Sequence, residues 1–303
     1  MSIPQFDFFH YLIRLRCSCN ISVMSIQKKA FAKVNLALRV LPKKAGAEFH
    51  QIESLFQTVD FCDELEVDFA QGSGRCFVDC SLPLPADNTI LRTYQAFCDF
   101  TGFSRSVNVR VKKHIPSGGG LGGGSSDSAV VLRSLCELYD FKMEKTLADF
   151  VASRVGSDVF FFLNVCGGQG SALVSGRGEI VTEIKMRKLF FVLVFPPVFS
   201  STKEAYSDFD KKGETLDFLP FSSYENEYNS PIQTWRFKNS FTPILTAQHF
   251  EIAQAISILK EFGAIFCDMS GSGSTVFGIF ENKDEAEQAA EKIVRKKMNC
   301  VCA

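Results

Sequence analysis

The chain has 303 residues, 46% hydrophobic and 22% charged, with a formal net charge of −1. That is enough apolar material for a globular core and enough length for one large domain or two ordinary ones. The near-neutral charge argues against nucleic-acid and membrane-surface binding, which favour a basic excess, and no apolar run reaches the roughly 20 residues of a membrane span.

In chain order, the first residues are apolar but broken by Asp7, Arg14 and Arg16, which fits no secretory signal. Met24 is a second candidate start, so residues 1–23 are read as an N-terminal extension. "KAFAKVNLALRVL" (Lys29 to Leu41) alternates as a strand, followed by a loop with Pro42 and Gly46. "IESLFQTVDF" and "DELEVDFA" read as two further strands, and Gln71 to Gly74 as a turn. A helix with an Asx-type start is predicted from Asp87, then a strand, "VNVRVKK". A glycine-rich run leads into a helix ending near Tyr139, and "MEKTLADFVASRV" forms another. "KLFFVLVFPP" is a buried strand stopped by prolines. Residues 208–240 are polar loops and short helices, and "PILTAQHFEIAQAISILKEFG" is one helix ending at Gly263. "AIFCDMSGSGSTVFGIF" gives two strands, and "KDEAEQAAEKIVRKKM" a surface helix with Glu–Lys pairing. The fold class is α+β. Eleven cysteines without a CxxC pair, and only four histidines, point to free thiols in a reducing cytoplasm rather than a zinc site. The many phenylalanines read as core filling.

The most informative segment is "HIPSGGGLGGGSSDSAVVL", in which six glycines lie between Gly118 and Gly124, interrupted only by Leu121. Glycine admits positive φ, so successive N–H groups can converge on one anion, and the following helix adds its free N–H groups and the positive end of its dipole. The hydrophobic flanks exclude a flexible linker. No GK[ST] ends the run, so it is not a Walker A loop, and no acidic residue closes a second strand about twenty residues on, as a dinucleotide fingerprint requires. Ser125, Ser126 and Asp127 are candidate caps for the helix, and the two serines can also bond a phosphate oxygen. Lys113 reads as a solvated strand end.

Polar residues inside apolar segments are the candidates for chemistry. Lys33 interrupts "AFAKVNLAL", and Asn35, two residues on, shares its face. Asp158 sits in "VGSDVFFFL", where an unpaired buried carboxylate is costly and a Lys33–Asp158 pair offsets the cost. On pattern alone the pair is equally a structural ion pair, or Asp158 the cap of a helix after Gly156. His50, alone in a loop, reads as solvent-facing. Ser270–Gly271–Ser272–Gly273 reads as a hairpin turn.

Taken together, "FAKVNLALRVL", "HIPSGGGLGGGSSDSAVVL", "VGSDVFFFL" and "MSGSGSTVFGIF" resemble, in order and spacing, the GHMP small-molecule kinases, over about residues 28–290. The resemblance implies two α+β domains, an ATP-binding one over 24–172 and a second over 173–303, with the active site in the cleft between them. It implies ATP as phosphoryl donor with Mg2+ carried on it, although no carboxylate cluster in the motifs declares a metal site. Pro116, Ser117, Gly118, Gly119, Gly120, Leu121, Gly122, Gly123, Gly124, Ser125 and Ser126 fall on the ATP loop. Asp158 falls on the catalytic base and Lys33 on its partner. Asn35 falls on the acceptor pocket, His50 on the residue that reads a cytosine edge, and Phe49 on an aromatic, usually Tyr, that stacks on cytosine. Thr202 and Tyr206 fall on the far side of that pocket. One departure stands out: Ala47-Glu48-Phe49-His50 replaces the usual DGYH. The implied reaction is phosphorylation of the 2-hydroxyl of 4-diphosphocytidyl-2-C-methyl-D-erythritol, in non-mevalonate isoprenoid precursor synthesis. The implied partner is thus a small cytidine-diphosphate substrate, bound by a monomer or homodimer, with no nucleic acid or membrane partner. Alternatives are a homoserine, mevalonate or galactose kinase of the same superfamily, or a nucleotide-binding relative without catalysis.

Overall fold

The computed structural model describes residues 25–44, 46–213 and 216–303. The reading of residues 1–23 falls outside them. β1 (Ile26–Val40) and β2 (Ile52–Ser73) pair antiparallel along most of their length. β2 is a single strand of 22 residues where the sequence suggests two. The reason lies at Asp63 in mid-strand. Its carboxylate accepts the backbone N–H groups of His114 and Ile115 at 2.6 and 2.9 Å, so a residue that often initiates turns is satisfied across the sheet instead. On its other edge β2 takes two partners, β4 (Arg105–Lys112) and β5 (Ser171–Gly176). β3 (Cys76–Cys80) lies parallel to β4, and β6 (Ile180–Ile184) extends from β5, giving the order β3-β4-β2-β5-β6 with β1 on β2.

Four helices cover this sheet: α1 (Thr89–Thr101), α2 (Gly123–Leu138), α3 (Lys145–Val155) and α4 (Ser157–Asn164). α1 begins as expected, with Asn88 Oδ1 accepting the Leu91 N–H at 3.1 Å. The second sheet has the order β10-β7-β9-β8, from β7 (Phe190–Val194), β8 (Phe266–Met269), β9 (Val276–Phe280) and β10 (Cys300–Cys302). It carries α5 (Thr202–Lys212), α6 (Tyr224–Asn229), α7 (Thr242–Gln248), α8 (Phe250–Glu261) and α9 (Lys283–Arg295). The single helix expected over 243–262 is therefore two. His249 adopts an extended φ of −129°, and the break lets Leu245 and Ile252 both reach the core. The expected domain boundary at 172/173 would cut β5. β5 and β6 belong to the first sheet, so the change of sheet falls between Ile184 and Phe190.

Alternation along β1 sends Ala32, Val34 and Leu36 into a core shared with Phe191, Leu193, Phe277 and Ile279 of the second sheet. Burying each large side chain contributes about 1.5–3 kcal/mol. Lys33 and Asn35 consequently face the other way, toward α2 and α4. The two register shifts in the β1–β2 pair lie between Phe31 and Lys33 and between Asn35 and Ala37. Phenylalanines 56, 97, 161, 162, 191, 241, 277 and 280 are fully buried, as core filling requires. Cys62, Cys76, Cys80, Cys98, Cys136, Cys267, Cys300 and Cys302 are free thiols.

Candidate active site

The glycine run opens a cleft of about 340 Å³. Gly118, Gly120 and Gly122 take φ of 71°, 77° and 70°, a left-handed backbone that bulkier residues avoid. α2 starts at Gly123 with Gly122 as its N-cap and no side-chain cap. This corrects the expectation that Ser125, Ser126 or Asp127 caps the helix: all three lie inside it. The free N–H groups at the head of α2 thus remain for an anion. Ser125 lines the cleft together with Pro116, Ser117 and the loop from Gly118 to Gly124, whereas Ser126 is buried and does not.

The loop is tied down from both sides. From the second sheet, the β8–β9 hairpin packs onto it: Ser270 Oγ donates to the Gly120 carbonyl at 2.9 Å, and Thr275 N–H to the Gly119 carbonyl at 3.2 Å. Asn239 clasps the same hairpin, donating from Nδ2 to the Met269 and Gly271 carbonyls at 2.7 and 2.8 Å. From beneath, Lys113 is not a solvated strand end. Its side chain is buried, bonded to Asp63 and, at 2.8 Å, to Asp127, and it lines the cleft floor. Burial alone would depress the Lys113 ammonium, but Asp127 and Asp63 hold it above its usual range. Burial also pushes the Asp127 carboxyl up, against the pull of Lys113. The signal for Lys113 was in the sequence. It continues the buried face of Val107, Val109 and Val111, two residues apart each time.

Gly120 offers a direct test. A Cβ there would lie 2.0 Å from the Ser270 carbonyl oxygen. Gly120→Ala is expected to part the loop from the hairpin and lower kcat/KM for ATP by about tenfold to a hundredfold. Gly102→Ala, with a similar φ of 76° but nothing within 4 Å, is expected to cost stability only. Steady-state kinetics beside thermal unfolding distinguish the two.

At the other end of the cleft, Lys33 is buried, its Nζ donating to Asn35 Oδ1 at 2.7 Å and lying 3.3 Å from Asp158 Oδ2. The Phe56 ring is 4.6 Å from the same ammonium. Asp158 occupies the first turn of α4, where the helix dipole favours a carboxylate. It is not buried among the phenylalanines: the helical period turns Val159, Phe161 and Phe162 inward and leaves its side chain 31% exposed to the cleft. Asn35 Nδ2 donates to Ser54 Oγ at 3.1 Å, fixing the amide's orientation.

Thr202 and Tyr206, both on α5, line the cleft as well. Thr202 Oγ1 lies 2.9 Å from Ser272 Oγ, so the Ser-Gly-Ser-Gly turn reaches the cleft as well. The Tyr206 phenol is pushed up to about 12, chiefly by burial and further by the Asp158 charge, and stays a neutral O–H donor. His50 is buried rather than solvent-facing. Its Nδ1 is 2.8 Å from the Leu41 carbonyl, and its ring packs 5.3 Å from Tyr206. Its Nε2 approaches Asp210 Oδ1 at 2.9 Å, misaligned for a hydrogen bond. Phe49 is 54% exposed beside it. Neither His50 nor Phe49 lines the glycine cleft itself. Thr89, Lys113, Phe241 and Ser272 do, and the sequence reading left them out.

Among the described residues, no three His, Cys, Asp or Glu side chains converge as a metal site, and no helix is long and apolar enough to cross a membrane.

An anion cradle facing a carboxylate that a buried lysine holds in place is suited to moving a phosphoryl group onto a hydroxyl. The class so defined is the small-molecule kinases, with ATP as donor. Comparison with known proteins agrees. Residues 88–165 match the GHMP kinases N terminal domain and residues 229–300 the GHMP kinases C terminal domain. A protein of Treponema pallidum strain Nichols, named 4-diphosphocytidyl-2-C-methyl-D-erythritol kinase, is 34% identical over 92% of this chain and 98% of its own. A Thermotoga maritima protein of the same name is 37% identical over 86% of this chain and 94% of its own. A crystal structure of 4-(cytidine 5'-diphospho)-2C-methyl-D-erythritol kinase superposes with a TM-score of 0.76 at 27% identity, over 91% of this chain and 98% of the other. The chain belongs to the GHMP kinase family, and its two-sheet α+β fold is the fold of that family.

Proposed function

We propose that this kinase transfers the γ-phosphoryl group of ATP to the 2-hydroxyl of 4-diphosphocytidyl-2-C-methyl-D-erythritol, a step in non-mevalonate isoprenoid precursor synthesis carried out in the cytoplasm. The observation that carries the reading is the Lys33–Asp158 contact of 3.3 Å beside the glycine loop. Asp158 receives the proton of the acceptor hydroxyl, and Lys33 holds that carboxylate and stabilises the oxygen as it becomes anionic. The loop from Pro116 to Ser125 and the head of α2 bind the phosphates, with Ser126 supporting the helix from within.

Mg2+ accompanies the nucleotide. Asp158 and Ser125 present oxygen donors of the hard type it takes, and Ser125 Oγ lies near Gly156 at the head of α4. When bound, it neutralises phosphate charge. Asn35, Thr202 and Tyr206 orient the polyol, while Phe49 and His50 take the base. All these residues come from one chain, so a monomer or a homodimer serves equally.

The test is ADP release against a panel of acceptors. Turnover of the cytidine-diphosphate acceptor, with homoserine, mevalonate and galactose inert, supports the reading. Turnover of one of those three instead would assign a different acceptor.

A further inference from the structure

Phe49 is a large apolar ring left 54% exposed, and the Arg177 guanidinium lies 4.9 Å from its ring centroid. The sheet puts it there. Ile52 of β2 pairs with Gly176 of β5, so the β5–β6 turn rises beside the loop that carries Phe49 and His50. That turn is held firmly: Gly176 and Gly178 have positive φ, and the Glu179 carboxylate accepts the Arg177 backbone N–H at 2.5 Å. The guanidinium itself meets no carboxylate among the described residues, so its positive charge and its N–H donors are uncommitted apart from the ring. On the other side of His50 stands Tyr206, on the wall of the cleft.

We propose that Arg177 is a specificity-determining residue for the nucleotide end of the acceptor. Covering one face of Phe49, it fixes the ring as a platform whose free face takes a flat base. Its remaining N–H donors are free to meet the diphosphate of a nucleotide whose base stacks on that platform. This chain lacks the phenol hydrogen bond that a tyrosine would supply at position 49, and the cation over the ring replaces it as the restraint. The inference rests on the cytidine-diphosphate reading of the acceptor.

The experiment is a KM-against-kcat comparison of Arg177→Gln, Arg177→Lys and Phe49→Leu, with the cytidine-diphosphate acceptor and with ATP. Arg177→Gln is expected to raise the acceptor KM about tenfold while kcat and the ATP KM stay within about twofold, a loss in the range of a stacked cation with phosphate contact. Arg177→Lys, which keeps the charge, is expected to recover most of it. In the Phe49→Leu background Arg177→Gln should cost markedly less, because the platform it restrains is gone. An unchanged acceptor KM in Arg177→Gln, or a full penalty in the Phe49→Leu background, would overturn the proposal. Wild-type enzyme that fails to turn over the acceptor would instead remove the reading on which it rests. A wild type that works beside an indifferent Arg177→Gln removes this inference alone.

Discussion

Asp158→Asn is expected to lower kcat by about two to four orders of magnitude, the range that a positioned general base supplies. Asparagine has the same shape and fits the first turn of α4, and the side chain is 31% exposed, so folding should be little disturbed. It accepts a hydrogen bond from the acceptor hydroxyl but cannot take the proton. The KM values for ATP and acceptor should therefore change only a few-fold, and the thermal midpoint should stay close to wild type. The phosphoryl-transfer transition state is loose in most analyses, which places the expected loss nearer the lower end of that range. Near-full kcat would remove the base role from Asp158 and return it to the start of a helix.

Lys33→Ala is expected to cost a comparable factor by a different route. The ammonium is buried and bonded to Asn35 Oδ1 at 2.7 Å, so its removal leaves that oxygen only the long 3.5 Å bond from Ser270 Oγ and leaves Asp158 without its positive neighbour. The carboxylate then loses its orientation, and the developing anion loses its nearest cation. Lys33→Met, which keeps the volume beneath Phe56, separates this electrostatic loss from a cavity effect. A structural ion pair gives the reverse pattern: lower thermal stability with kcat retained. If the two residues act as a unit, the Lys33→Met Asp158→Asn double variant should be scarcely slower than the worse single variant.

Both residues were legible in the sequence because each breaks an apolar pattern, and a charge in such a place must find a partner. The glycine run was legible because repeated positive φ admits few other residues. Lys113 is harder to read, because it closes a strand like a solvated end and yet continues the buried alternation of Val107, Val109 and Val111. The merged β2 and the broken α7–α8 were missed for a related reason. What decides them, the Asp63 carboxylate bridging to residues 113–115 and the demand that Leu245 and Ile252 both be buried, is tertiary. The Ser-Gly-Ser-Gly turn shows the limit most clearly. Read alone it is a hairpin. Its meaning comes from Ser270 on Gly120 and Thr202 on Ser272, contacts between segments distant in sequence that no local pattern encodes. Phe49 and His50 were placed by resemblance alone, and the aromatic cluster with Tyr206 and the cation over Phe49 emerge only from the fold.

The measurement that tests the account most directly is coupled ADP release by the wild-type chain with 4-diphosphocytidyl-2-C-methyl-D-erythritol, set beside the unlinked methylerythritol phosphate. The account predicts ADP release with the cytidine-linked acceptor, one new phosphomonoester per ADP, and little or none with the unlinked one. Equal rates with both, or release with neither, would contradict it.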